Sequence, residues 1–174
     1  MDAWFTKESA RYLQEVYLPR LRKAVETLPE RDLWWRPHGG STSVGNLLLH
    51  LEGNIRQWIL GGLGSGPGRR RRAEEFARRE GGTRAELLDA LARTIEGAAA
   101  VIARQEALDR RLMIQGLETS VRSAIYHVVE HLSWHTGQIV WIAKMRAGEA
   151  HGIAFYDDRK LNEPAPEAPS DHTT

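Results

Sequence analysis

Apolar residues recur every three or four positions over four long stretches of the chain, which predicts four helices and no sheet. The first stretch runs from about Trp4 to Leu28, with Leu13, Val16, Tyr17, Leu21, Ala24 and Leu28 on one stripe. Pro19 interrupts it and removes a backbone donor, so this is a kinked helix or two shorter ones. The second runs from about Val44 to Leu60, with Ser43 as its N-cap, Leu47, Leu51 and Trp58 on its apolar side, and Gly61 and Gly62 at its end. Thr83 and Glu86 form a T-x-x-E capping box that opens the third, where Leu88, Leu91, Ile95, Ala98 and Ile102 follow. The fourth runs from about Thr119 to Ala147 on Val121, Ile125, Val128, Leu132, Ile139 and Ile142, with Gly148 as C-cap.

The links between these stretches differ. The run RDLWWRPHGGSTS, with Pro37, Gly39 and Gly40, reads as a loop. The segment from Gly61 to Gly82 is too long for a helix hairpin and holds room for a short helix around Ala73–Arg79. It is long enough to cross a bundle, which lets helices two and three run parallel. The expected architecture is an all-α four-helix bundle with a long crossover between helices 2 and 3. Residues 1–156 form the domain, and 157–174, rich in proline and charge, form a disordered tail.

Polar residues inside the apolar stripes carry the chemistry. A helix turns by about 100° per residue, so His127, His131 and His135 lie along one slowly drifting line. His135 falls nearest the middle of the apolar face, His131 slightly off it, and His127 further out beside Trp134 and Gln138. On helix two, Asn46, His50, Asn54 and Gln57 make a polar strip. Buried imidazoles need partners, and one divalent ion satisfies three. His50, His131 and His135 are therefore the expected ligands. Asn46, Asn54, His127, Trp134 and Gln138 are the expected residues that orient them or line a pocket. The bland alternative is a set of hydrogen-bonded core histidines. Three imidazoles leave a coordination position open, as in a catalytic site. Zinc suits them best, with nickel, iron, cobalt and manganese also compatible. Such an ion would acidify a water or hold a thiolate.

Composition narrows the possibilities. There is no cysteine among the 174 residues, which excludes disulfides, thiolate metal sites and a cysteine nucleophile. Lys+Arg number 24 and Asp+Glu 23, so no net field draws the chain to nucleic acid or to a membrane. No apolar run is long enough to span a bilayer, and the N-terminus lacks a leader pattern, so a cytoplasmic protein with a small-molecule substrate is expected. The Arg69–Arg72 run, balanced by Glu74, Glu75 and Glu80, reads as a solvated loop. Most of the six tryptophans read as packing or dimer surface, and Trp134 as a pocket wall.

The segments WWRPHGGSTSVGNLLLHLEGNIRQWI and IQGLETSVRSAIYHVVEHLSWHTGQIVWIAKM, with GIAFY after them, resemble the DinB/YfiT-like superfamily of metal-dependent bundle proteins. The resemblance covers about Trp4 to Tyr156. It implies up-down-down-up helix order, a homodimer, and a divalent ion on His50, His131 and His135. It also implies a metal-dependent enzyme, either a thiol S-transferase using a low-molecular-weight thiol or a hydrolase. The alternative is a non-catalytic metal-binding or interaction module. Many relatives carry an acidic residue where this chain has Asn54, and arginine where it has Thr136.

Overall fold

The computed structural model describes residues 2–66 and 70–157. Arg69 and all of the expected tail except Asp157 lie outside the described residues. Most of the described chain is helical.

The N-terminal rod comprises α1 (Asp2–Arg11), a π-helical turn (Tyr12–Tyr17) and α2 (Leu18–Thr27). Pro19 sits in the first turn of α2, where a missing N–H does least harm. The wider turn before it changes the hydrogen-bond register, with Leu18 N–H donating to the Leu13 carbonyl. The backbone stays helical on both sides of that turn, so the rod is not divided into two separate helices.

After the loop at 33–43, α3 spans Val44–Ile55 and continues as a second π-helical turn, Arg56–Gly61. Ser43 caps it as expected, with Asn46 as the reciprocal partner in the capping box. A six-residue α4 (Arg72–Ala77) lies within the crossover. The Thr83–Glu86 box opens α5 (Arg84–Ala103), and Ser120 caps α6 (Val121–Ala147).

The start expected for the last helix, Thr119, is corrected by a β-hairpin. Strand β1 (Arg111–Ile114) pairs antiparallel with β2 (Leu117–Ser120), in the register Ile114↔Leu117. Gln115 (φ 57°) and Gly116 (φ 76°) make the two-residue turn. Two positive φ values there match the right-handed twist of the strands. Ile114 is buried, and the Gln115 amide donates to Gln57, which ties the hairpin to the end of α3.

One apolar cluster joins the long elements, among them Leu21 of α2, Leu51 of α3, Ile95 of α5 and Leu132 of α6. Polar contacts fix which ends meet. Arg122 on α6 pairs with Asp2 at 3.2 Å, and Arg146, in the last turn of α6, pairs with Asp32 at 2.9 Å. Arg84 at the head of α5 pairs with Glu30 at 2.6 Å, and Thr94 donates to Glu52 at 3.4 Å. No helix among the described residues is long and apolar enough to cross a membrane.

Candidate metal centre

The polar strip of α3 is buried rather than solvated. Asn46, His50 and Asn54 are each at most 3% exposed. The strip faces the histidine row of α6. His50 Nε2 lies 2.9 Å from His131 Nε2, and the rings of His50 and His135 are 5.0 Å apart. His131 and His135, one helical turn apart, have ring centres 4.5 Å from each other. One nitrogen from each of His50, His131 and His135 falls within 4.8 Å of the others. The helical spacing and the opposing strip thus bring the three expected residues together.

The crossover supplies a partner that periodicity did not reveal. Glu75 on α4 places Oε2 3.1 Å from His50 Nδ1. Arg70 donates to both Glu75 oxygens at 2.7 Å and to the His50 carbonyl at 3.1 Å. The side chains of Arg70 and Glu75 are only 7% and 13% exposed. The solvated reading of the arginine run is therefore corrected at Arg70, while Arg71 remains open to solvent and Arg72 lies over the Phe76 ring. Phe76 in turn packs against the His50 ring, with centroids 4.6 Å apart. Gly53 makes this possible, because a Cβ there would run into Glu75 Oε1 and the Arg70 guanidinium.

Glu75 and Arg70 ask different things of His50. A carboxylate accepts, so Glu75 favours the tautomer with the proton on Nδ1 and the Nε2 lone pair facing His131. A guanidinium only donates, and Arg70 Nη2 at 2.7 Å favours the opposite tautomer. Glu75 Oε2 is an equally near acceptor for that same Arg70 nitrogen, so the first arrangement leaves no donor stranded. Burial works against ionising Glu75, but hydrogen bonds from Arg70 and His50 hold its carboxyl below the usual range.

The other expected residues divide. Gln138 Oε1 accepts from His135 Nδ1 at 2.6 Å, which leaves the second nitrogen of His135 as a lone pair. Asn54 meets His127 rather than a ligand, with Nδ2 3.2 Å from His127 Nε2, and its buried Oδ1 has no hydrogen-bond partner. His127 packs against Trp58 with the rings tilted by 40° and centroids 4.1 Å apart. Asn46 is committed elsewhere: it completes the helix cap and donates to the carbonyls of Glu75 and Arg78, which anchors the crossover. Trp134 is 63% exposed and lies alongside His135, with centroids 6.4 Å apart.

Electrostatics keep the row neutral. Burial, then the neighbouring His135, His50 and His127 and the Arg70 charge, push His131 down to about 3. Burial also lowers His127 and His135, and in His135 the bond to Gln138 opposes it. Neutral imidazoles with lone pairs turned inward are what a divalent ion requires. The donor set fits such an ion: three nitrogens in reach of one another, two imidazoles oriented by an oxygen acceptor, and no thiolate. His131 and His135 are half-buried, so the cluster is not sealed. Of the residues that matter here, Glu75, Arg70 and Gly53 were missed. The one sequence signal for Glu75 was the general need of a ligating imidazole for an acceptor.

The family model of the DinB superfamily matches residues 14–139, well over half of the chain. Among solved structures, the chain is similar to a DinB-like protein, YjoA, of Bacillus subtilis, at 17% identity and a TM-score of 0.58, covering 81% of this chain and 92% of that one. At that identity the likeness shows the fold. No curated protein matches.

Proposed function

The chain belongs to the DinB superfamily, and from that premise we propose that it is a divalent-metal-dependent enzyme whose ion is held by His50, His131 and His135. The observation that carries this is the convergence of three imidazole nitrogens within 4.8 Å, with Glu75 and Gln138 behind two of them. A divalent ion in such a set supplies Lewis acidity to a thiol or a water. The chain's own residues do the rest. Glu75 holds the Nδ1 proton of His50, Gln138 holds that of His135, and burial keeps His131 unprotonated. Phe76 covers part of the His50 ring. The reaction is attack on a small electrophile by a low-molecular-weight thiol (S-transferase-like), or attack by water (hydrolase-like).

The architecture that goes with this reading is an up-down-down-up four-helix bundle over residues 1–156. The pairing of Arg122 with Asp2, of Arg84 with Glu30 and of Thr94 with Glu52 supports that order. Zinc is the first ion to test, given three imidazoles and no sulfur.

Elemental analysis of untagged protein tests the site. One ion per chain is expected, and His50→Ala should remove most of it. Unchanged stoichiometry in His50→Ala would reject that ligand. Thiol–electrophile pairs and simple esters, each run with metal-stripped protein as control, separate the two reactions. One observation favours a second reading, a structural network without metal: Arg70 at 2.7 Å from His50 Nδ1, with His50 donating to His131. That reading expects no bound ion at all.

A further inference from the structure

A cavity borders the histidine row at Gln138. It lies between the loop at 33–43 and the C-terminal half of α6, with a volume of about 590 Å³. That is the size of a site for a drug-sized molecule. Trp35, Trp134 and Trp141 form its walls, Leu47 and Ile142 its apolar base, and Gln138 its edge toward His135. No ionisable side chain lines it.

Three features indicate that it is kept open. Trp134 and Trp141 are each 63% exposed, a large apolar area to leave in water on one helix face. Gly137 lies between them on the helix, where glycine is a poor choice by about 1 kcal/mol relative to alanine. A Cβ built on Gly137 meets nothing within 4 Å, so backbone packing does not demand glycine. The loop wall is fixed: Trp34 packs on Gly45 so closely that a Cβ there would meet the ring at 2.9 Å, and Arg146 lies over Trp35 while pairing with Asp32.

The geometry points to a binding site for an uncharged aromatic small molecule, its ring between Trp134, Trp141 and Trp35 and its polar end at Gln138. Gln138 gives its oxygen to His135, so what it can offer that polar end is its amide N–H donors. An ionised ligand finds no counter-charge in this lining and would be desolvated without compensation. A molecule seated so directs its polar end at His135. The site's role as the substrate subsite rests on the three-histidine reading above, whereas the binding itself does not.

Calorimetric titration of the full chain with naphthylmethanol tests this, with naphthoate and naphthylmethylammonium as charged comparators. One-to-one binding of the neutral probe is expected, with both charged analogues weaker by about tenfold or more. Gly137→Leu should fill the cavity from an open helix face and weaken the probe by more than about tenfold, with metal content unchanged. Trp141→Ala, at an exposed position, should give the same loss if the leucine variant folds poorly. His50→Ala should lose the metal and keep the probe. Saturable probe binding in a wild-type protein that holds no metal would support the cavity and reject the metal reading alone. The inference is overturned if wild type shows no saturable binding, if a charged analogue binds best, or if both cavity variants bind as wild type does. It is also overturned if Trp141→Ala converts a dimer to a monomer in sedimentation while wild type ignores the probe, because the tryptophans would then be a subunit contact.

Discussion

On the crossover side, His50 meets a guanidinium and a carboxylate that are themselves almost buried. On the loop side, His135 meets an amide and a cavity walled by tryptophans, with no ionisable group. Each side also carries a glycine inside a long helix, Gly53 on α3 and Gly137 on α6. A side chain on Gly53 would collide with the Arg70–Glu75 pair, while one on Gly137 would enter open space. The charged side fixes the histidine it touches, and the cavity of about 570 Å³ outside it is lined by charged groups, Arg70 and Glu75 among them. The aromatic side is open and has room for something to arrive. In the proposed reading, one centre thus has a face that orients its donors and a face that receives a ligand.

Acid should have the largest effect, because it acts directly on the histidine row that lies between the two sides. His127, His131 and His135 are all held below their ordinary value of 6.5, His131 at about 3. A depressed folded-state value means that the unfolded chain takes up protons first as pH falls. Metal-free protein should therefore keep its full stability above about pH 6.5 and lose it progressively as pH falls toward 3. Urea midpoints between pH 7.5 and 4 read this directly. A midpoint that stays flat from pH 7 to 5 would mean that the histidines are not desolvated in the folded protein.

Glu75→Gln sharpens the charged side. An outer-layer acceptor on a ligating imidazole is typically worth about 10–100-fold in metal affinity. The glutamine can still accept, but it loses the charge that competes with Arg70 for the Nδ1 position. Competition titration with a chelator should show affinity falling by about tenfold or more, with the fold intact by circular dichroism. Affinity equal to wild type would show that Glu75 serves Arg70 alone.

How much of this was legible in the sequence follows from where each residue sits. His50, His131 and His135 belong to long amphipathic helices, so spacing alone placed them on facing sides. Leu88, Leu91, Ile95, Ala98 and Ile102 were all read as core and are all buried. Glu75 and Arg70 reach His50 from a glycine- and arginine-rich crossover, where no periodicity links a residue to a partner 25 positions away. The polar run at 69–72 looked solvated because composition cannot distinguish a buried arginine with a carboxylate beside it from an exposed one. The hairpin failed for a different reason. Strands of four residues, RLMI against LETS, are too short for alternation to stand out, and their turn places Gln115, not glycine or asparagine, at the first positive φ. Asn46 was read as a pocket residue because it shares the strip of His50; its position three residues after Ser43 assigns it to the cap.

Gly53→Ala tests the packed side at the level of a single methyl. An alanine would gain about 1 kcal/mol of helix propensity at a neutral position. Here the methyl displaces Glu75 and Arg70, and overpacking of this kind is worth about 1–3 kcal/mol. The expected result is a net loss of stability together with weaker metal binding, since Glu75 can no longer sit beside His50. Both losses should appear in the same variant. A stabilised protein with wild-type affinity would mean that the crossover does not rest on α3 in solution.

Gly137→Ala is the smallest change and should have the opposite sign. The position is exposed, mid-helix and free of neighbours within 4 Å of a built Cβ. Propensity therefore acts alone, and the variant should gain about 1 kcal/mol by chemical denaturation. Metal affinity should not move, because neither His135 nor Gln138 has to shift to admit a methyl that meets nothing within 4 Å. A loss of stability instead of a gain would show that the open face is covered in solution, with the methyl displacing whatever covers it. A concentration-dependent midpoint would then identify the cover as a second copy of the chain, since only association makes stability depend on protomer concentration. The sign of this one small effect thus separates a face kept clear for a ligand from a face closed by a partner.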